Sequence, residues 1–155
     1  MNAGTMDRLW HDYAEHHRTE GNKHSHMIGI PLIIIGVLGL CARPLFQVGG
    51  WTVELAVLLI AVAGAVYIAL DARLGVAMVA VDVLLYLVAR QLGWKISLAL
   101  FALGWVFQFI GRGVYEKRRP AFYKNLAHLL VGPLWVLNHF WHLRRGPAQP
   151  VANQS

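Results

Sequence analysis

Polar and apolar positions separate along this chain into long blocks. Residues 5–18 place Leu9, Trp10, Tyr13 and His17 at helical spacing with charged residues between them, which predicts an amphipathic helix. The "TEGN" that follows interrupts it: Gly21 is expected to end that helix and Asn22 to cap the next. Five apolar stretches come after. The first, residues 27–42, is 16 residues long. That is about 24 Å as a helix, short of a ~30 Å hydrocarbon core. Pro31 lacks an N–H and crowds the carbonyl of Met27, so a kink is expected there. "ARPLFQVGGW" makes the turn into residues 52–70 and 74–92, each 19 residues and joined only by Asp71, Ala72 and Arg73. This spacing predicts a tight helical hairpin. Residues 96–110, extendable toward Tyr115, form the fourth stretch, and "YEKRRPAFYKN" is a polar, basic loop. Residues 126–141 form the fifth, broken at Gly132 and Pro133.

Composition turns these stretches into membrane segments. The chain has 155 residues, 57% hydrophobic and 14% charged, against roughly 45–50% and 25% in a soluble domain. Such a surface has too few polar groups to face water. The pattern predicts an all-α, polytopic integral membrane bundle of four spanning helices plus a Pro-broken, re-entrant fifth segment. Six or eight apolar residues on either side of the break are too few to cross, but they suit a re-entrant hairpin. Residues 1–143 form one membrane-embedded domain, and 144–155, polar and Pro-rich, a tail expected to be disordered. The lone Cys41 excludes an intrachain disulfide, and the polar first 26 residues contain no apolar signal-peptide core.

The net charge of +6 favours anionic lipid over nucleic acid, because the cations sit at the ends of apolar segments. With four crossings, Arg8, Arg18, Lys23, Arg73, Arg112, Lys117, Arg118, Arg119 and Lys124 share one side, and Arg43, Arg90 and Lys95 the other. The positive-inside rule makes the N-terminus cytoplasmic.

Four of the eight histidines, His16, His17, His24 and His26, gather just before the first apolar stretch. On one continuous helix His17 and His26 would face opposite ways. A break at Gly21 would let two short helices bring them together at the cytoplasmic membrane boundary. Neutral imidazole suits iron or zinc, but histidines solvated among lipid headgroups are an equal reading of the spacing alone. Asp82, alone in an apolar segment, reads equally as a functional carboxyl or as a buried, hydrogen-bonded one.

Trp10, Tyr13, His17, Asn22, His26, Gly29, Ile30 and Pro31 form a pattern that resembles the N-terminal signature of the 2-hydroxy fatty acid dioxygenase family. "GWVFQFIGRGVYEKRRPAFYKNL", residues 104–126, is similar to that family's second block. The resemblance implies an Fe(II)-dependent membrane enzyme that uses O2 to shorten a 2-hydroxy fatty acid by one carbon. It carries His17 and His26 over as metal ligands, with Tyr13 positioning His17 and Glu116 orienting a ligand. Arg118 and Arg119 would attract the acidic head group while the bundle takes the acyl chain. One position departs: where the family has a histidine, this chain has Arg112. Arginine donates only and cannot bind the metal, but it suits a carboxylate. Either the site is rebuilt with His128 and His139, brought level by a reversal at Gly132 and Pro133, or the chain is an inactive relative that binds lipid or a partner. A bis-histidine haem protein is a third reading. A di-iron hydroxylase is disfavoured, since its His-rich boxes are missing.

Overall fold

A computed structural model of the protein describes residues 8–11, 19–116 and 127–142, with the backbone alone at Arg112, Tyr115, Glu116 and residues 127–129. After a helical turn at residues 8–11 come α1 (Glu20–Cys41), β1 (Pro44–Val48), β2 (Trp51–Glu54), α2 (Leu55–Leu70), α3 (Ala72–Ala89), α4 (Trp94–Ile110) and α5 (Ala127–Trp141). A π-helical turn, Gly111–Glu116, continues α4 directly.

Asp71 explains how α2 and α3 can meet with so little chain between them. Its extended backbone breaks the helix (φ −153°, ψ 113°), while its N–H still bonds the Tyr67 carbonyl at 2.9 Å and closes α2. Its carboxylate then accepts from the N–H groups of Arg73 and Leu74, both at 3.1 Å, and caps α3. One residue thus satisfies backbone groups at two helix ends.

Helices α1 and α4 lie antiparallel, and their contact is made by small residues seven apart. On α1, Asn22 packs on Gly111, Gly29 on Gly104, Gly36 on Phe101 and Gly39 on Ser97. A Cβ on Gly29 would lie 2.9 Å from the Gly104 carbonyl oxygen, and one on Gly104 2.7 Å from that of Gly29. The backbones touch, which is how helices gain dispersion energy when their surroundings are as apolar as their side chains. Around this pair the core divides in two. Tyr67, Leu70, Leu74 and Met78 collect Trp10 and the α5 residues Leu134 and Leu137 at the Asp71 end. Leu38, Ala56, Ile60, Tyr86 and Ala89 form the other cluster.

Several sequence expectations change. The connection after α1 is not a plain turn, and the fold is not purely helical. β1 and β2 pair antiparallel across Gly49 and Gly50, both at positive φ (55° and 82°), which only glycine adopts without strain. That ribbon takes up part of the expected 52–70 helix, leaving α2 with 16 residues. Two described helices, α1 and α3, are long and apolar enough to cross a membrane, and α2 and α4 are shorter apolar helices. The break before α1 falls at Thr19, so Gly21 and Asn22 sit inside the first turn and Asn22 is not its cap. α1 also runs on through Pro31. Most consequentially, α5 is continuous through Gly132 and Pro133. The re-entrant reversal does not occur, and the buried, tightly packed Val131, Gly132, Pro133 and Leu134 hold the helix together across its missing N–H. The helix over 5–18 is described only at residues 8–11, and the tail 144–155 lies outside the described residues.

Candidate metal centre

Three of the first seven residues of α1, Asn22, Ser25 and His26, are polar and buried. Burying such groups costs free energy unless each finds a partner. Ser25 Oγ donates to the Gly21 carbonyl at 2.9 Å. His26, 4% exposed, sets its Nδ1 3.0 Å from the Asn22 carbonyl oxygen. A carbonyl only accepts, so Nδ1 carries the proton and Nε2 keeps its lone pair. That arrangement suits ligation through Nε2, since metal-binding histidines usually give their other ring N–H to an outer acceptor.

Asn22 and Ser25 face the start of the π-helical turn. A Cβ on Gly111 would lie 2.7 Å from Asn22 Oδ1 and 2.8 Å from Ser25 Cβ. Residue 111 can therefore only be glycine at this spacing. Turns of π-helix are unusual and concentrate at functional sites. Here the turn sits where two sequence blocks some eighty residues apart come into contact. It carries the backbone of Arg112 and Glu116, whose side chains lie outside the described ones.

His24 has the same local geometry, with Nδ1 2.8 Å from the Glu20 carbonyl, but it is exposed. Glu20 pairs with Lys23 at 2.6 Å, and the imidazoles of His24 and His139 are both near enough to act on its carboxylate. His139 thus belongs to the same end of the molecule as His26. It is exposed and stacks on Trp135, with ring centroids 5.8 Å apart.

His128 is eleven residues earlier on the same unbroken helix. That spacing puts the two α-carbons roughly 16 Å apart along the axis. The step that joined His128 to His139 in a rebuilt four-histidine site is therefore lost, and the side chain of His128 lies outside the described ones. Tyr13, His17, Arg118 and Arg119 lie outside the described residues altogether. Among the described residues no three His, Cys, Asp or Glu side chains gather as a metal would require. Among the described residues, His26 is the buried histidine whose free ring nitrogen would suit a single ligand position.

Asp82 sits on the buried face of α3 between Met78 and Tyr86. It belongs to the wall between α2 and α3. Ser25 and Gly111 are site residues the motif reading did not single out. Gly111 shares the seven-residue spacing of Ser97 and Gly104, a faint signal in a largely apolar stretch, and Ser25 had no such signal.

A family model described as 2-hydroxy-palmitic acid dioxygenase Mpo1-like matches residues 3–143. The chain is 33% identical over 130 residues to the 2-hydroxy-palmitic acid dioxygenase MPO1 of Saccharomyces cerevisiae, covering 83% of this chain and 75% of the relative. No solved structure matches.

Proposed function

Because the chain belongs to the Mpo1-like 2-hydroxy-palmitic acid dioxygenase family, we propose that it is an Fe(II)-dependent membrane enzyme that shortens 2-hydroxy fatty acids by one carbon. The observation that supports this reading is the contact of Asn22 and Ser25 with Gly111, which brings the two motif blocks together one residue from the buried imidazole of His26. With O2 as sole oxidant the reaction balances as a 2-hydroxy acid plus O2 giving the acid one carbon shorter, CO2 and water.

Fe(II), when bound, supplies the centre at which O2 reacts. His17 and His26 would hold it, with His139 as the third donor because it lies at the His26 end of the molecule; His128 is the competing choice. The Asn22 carbonyl keeps the His26 proton on Nδ1. Arg112, where the family pattern has histidine, would grip the substrate carboxylate in bidentate fashion. Arg118 and Arg119 would draw the anionic head group in, and Tyr13 and Glu116 would orient ligands. The acyl chain belongs in the lipid. α1 and α3 are long enough to span it, and side chains such as Leu84, 62% exposed, offer it an apolar surface. By the positive-inside rule the N-terminal side, which carries the larger share of cations in the sequence, would face the cytoplasm.

Arg112 also favours a second reading, in which the fold is kept without iron and the basic face binds lipid or a partner. Metal analysis of anaerobically purified protein, followed by incubation with a 2-hydroxy fatty acid and O2, separates the two. Iron together with the shortened acid supports the enzyme; a metal-free protein that still binds fatty acid supports the alternative.

A further inference from the structure

The ribbon between α1 and α2 is amphipathic in a way that has no use in the proposed reaction. Its register sets Phe46 opposite Val53, Gln47 opposite Thr52 and Val48 opposite Trp51. Residues directly opposite share a face, and faces alternate along a strand. Phe46, Val48, Trp51 and Val53 therefore make one apolar face, and Gln47 and Thr52 the other. Glu54, the residue after Val53, points to the polar side, and it is the residue that engages α3. It accepts hydrogen bonds from the Tyr86 hydroxyl at 2.8 Å and the Arg90 guanidinium at 3.3 Å. The apolar face looks away from that contact, with Val48 59% and Trp51 81% exposed.

We propose that this face lies in the headgroup layer of the leaflet opposite the His26 end, as an interfacial anchor for the bundle; this rests on the membrane reading above. Three observations name phospholipid as what covers it. First, Arg43, Arg90 and Lys95 are exposed around the ribbon's base, placed for lipid phosphates. Second, Trp51 and Trp94 are exposed at the same end, and the Lys95 ammonium lies 5.8 Å from the Trp94 ring centroid. Tryptophan beside a cation is the usual dress of a membrane boundary. Third, α2 has 16 residues, about 24 Å, and stops short of a ~30 Å core. The ribbon begins where α2 stops, tied to it by Leu55 N–H on the Arg43 carbonyl at 3.2 Å. It occupies the depth that α2 leaves open.

The test uses full-length protein with Cys41→Ser and one new cysteine, Val48→Cys on the ribbon or Val83→Cys on the outer face of α3. Each is nitroxide-labelled and reconstituted into phosphatidylcholine and phosphatidylglycerol vesicles. Electron paramagnetic resonance then compares collisions with O2, which enters lipid, and with a nickel chelate, which stays in water. The anchor predicts that both labels prefer O2, with Val48 the shallower and its nickel exposure several-fold below that of free label in buffer. A Val48 label as open to nickel as free label, beside a shielded Val83 label, overturns the anchor and leaves the membrane reading standing. Nickel access at both positions overturns both. Spin–spin broadening at Val48 that vanishes on dilution with unlabelled protein assigns the face to a second copy and overturns the lipid anchor.

Discussion

Asn22, Ser25 and His26 are polar and buried where α1 begins, whereas Phe46, Val48 and Trp51 are apolar and bare just beyond its far end. Each end inverts the rule that its surroundings would impose on a soluble protein. Buried polar groups cost free energy unless bonded, and here the Gly21 and Asn22 carbonyls receive the hydroxyl and the imidazole. Bare apolar groups cost free energy in water, and here a ribbon, two tryptophans and three cations repeat the pattern of a bilayer boundary. On the function proposed above, the same helix joins an end organised around a reactive group to an end organised around a solvent that is not water.

Substitutions at the two ends should separate most sharply in activity. His26→Ala is expected to lower turnover of a 2-hydroxy fatty acid by about 100-fold or more, as loss of a metal ligand does. Trp51→Ser should stay within roughly twofold, because nothing at the ribbon touches the reacting atoms. Mass spectrometry of the shortened acid reads both. Similar losses in the two variants would erase the division between the ends.

The seam joining the ends comes next. Gly104→Val drives a branched side chain into the Gly29 carbonyl and Ile33. Overpacking of that kind should cost about 1–3 kcal/mol, seen as a lower unfolding temperature in detergent. Gly113→Ala, with no atom near the added carbon, is the control and should leave the transition in place. Equal shifts would mean that the α1–α4 contact is looser than described.

The smallest effects concern the fastenings at each end. Asp71→Ala removes the cap between α2 and α3 and should destabilise by about 1 kcal/mol. Tyr86→Phe removes one hydrogen bond to Glu54, worth about 0.5–1.5 kcal/mol, and Arg90 still holds that carboxylate. A larger loss for Tyr86→Phe than for Asp71→Ala would make the ribbon's attachment the stronger fastening.

Much of this arrangement could be read from the sequence, because apolar length and capping chemistry are local. The Asp71 hairpin and the extension of α4 past Ile110 are of that kind, and two separated blocks were enough to identify the family. The ribbon was hidden in a segment that also serves as a connection. Its own signal, paired glycines between two four- or five-residue strands, is short beside the helices around it. The reversal at Gly132 and Pro133 was expected from the cost of a missing hydrogen bond, yet burial of both residues in the α5 contact outweighs that cost. Thr19, not Gly21, opens α1, which puts Asn22 where its carbonyl can hold His26. Which residues complete the metal site was not legible at all, since ligation joins side chains whose proximity only tertiary structure decides.

His24 and His26 reduce the central claim to one comparison. Both hold a backbone carbonyl four residues back, at 2.8 and 3.0 Å, and they differ in that His26 is buried and His24 is exposed. Iron content per chain, measured on His24→Ala and His26→Ala purified anaerobically side by side, tests that difference directly. The account predicts that His24→Ala keeps the wild-type iron and His26→Ala loses it. Iron retained by His26→Ala, or lost equally from both, would contradict it.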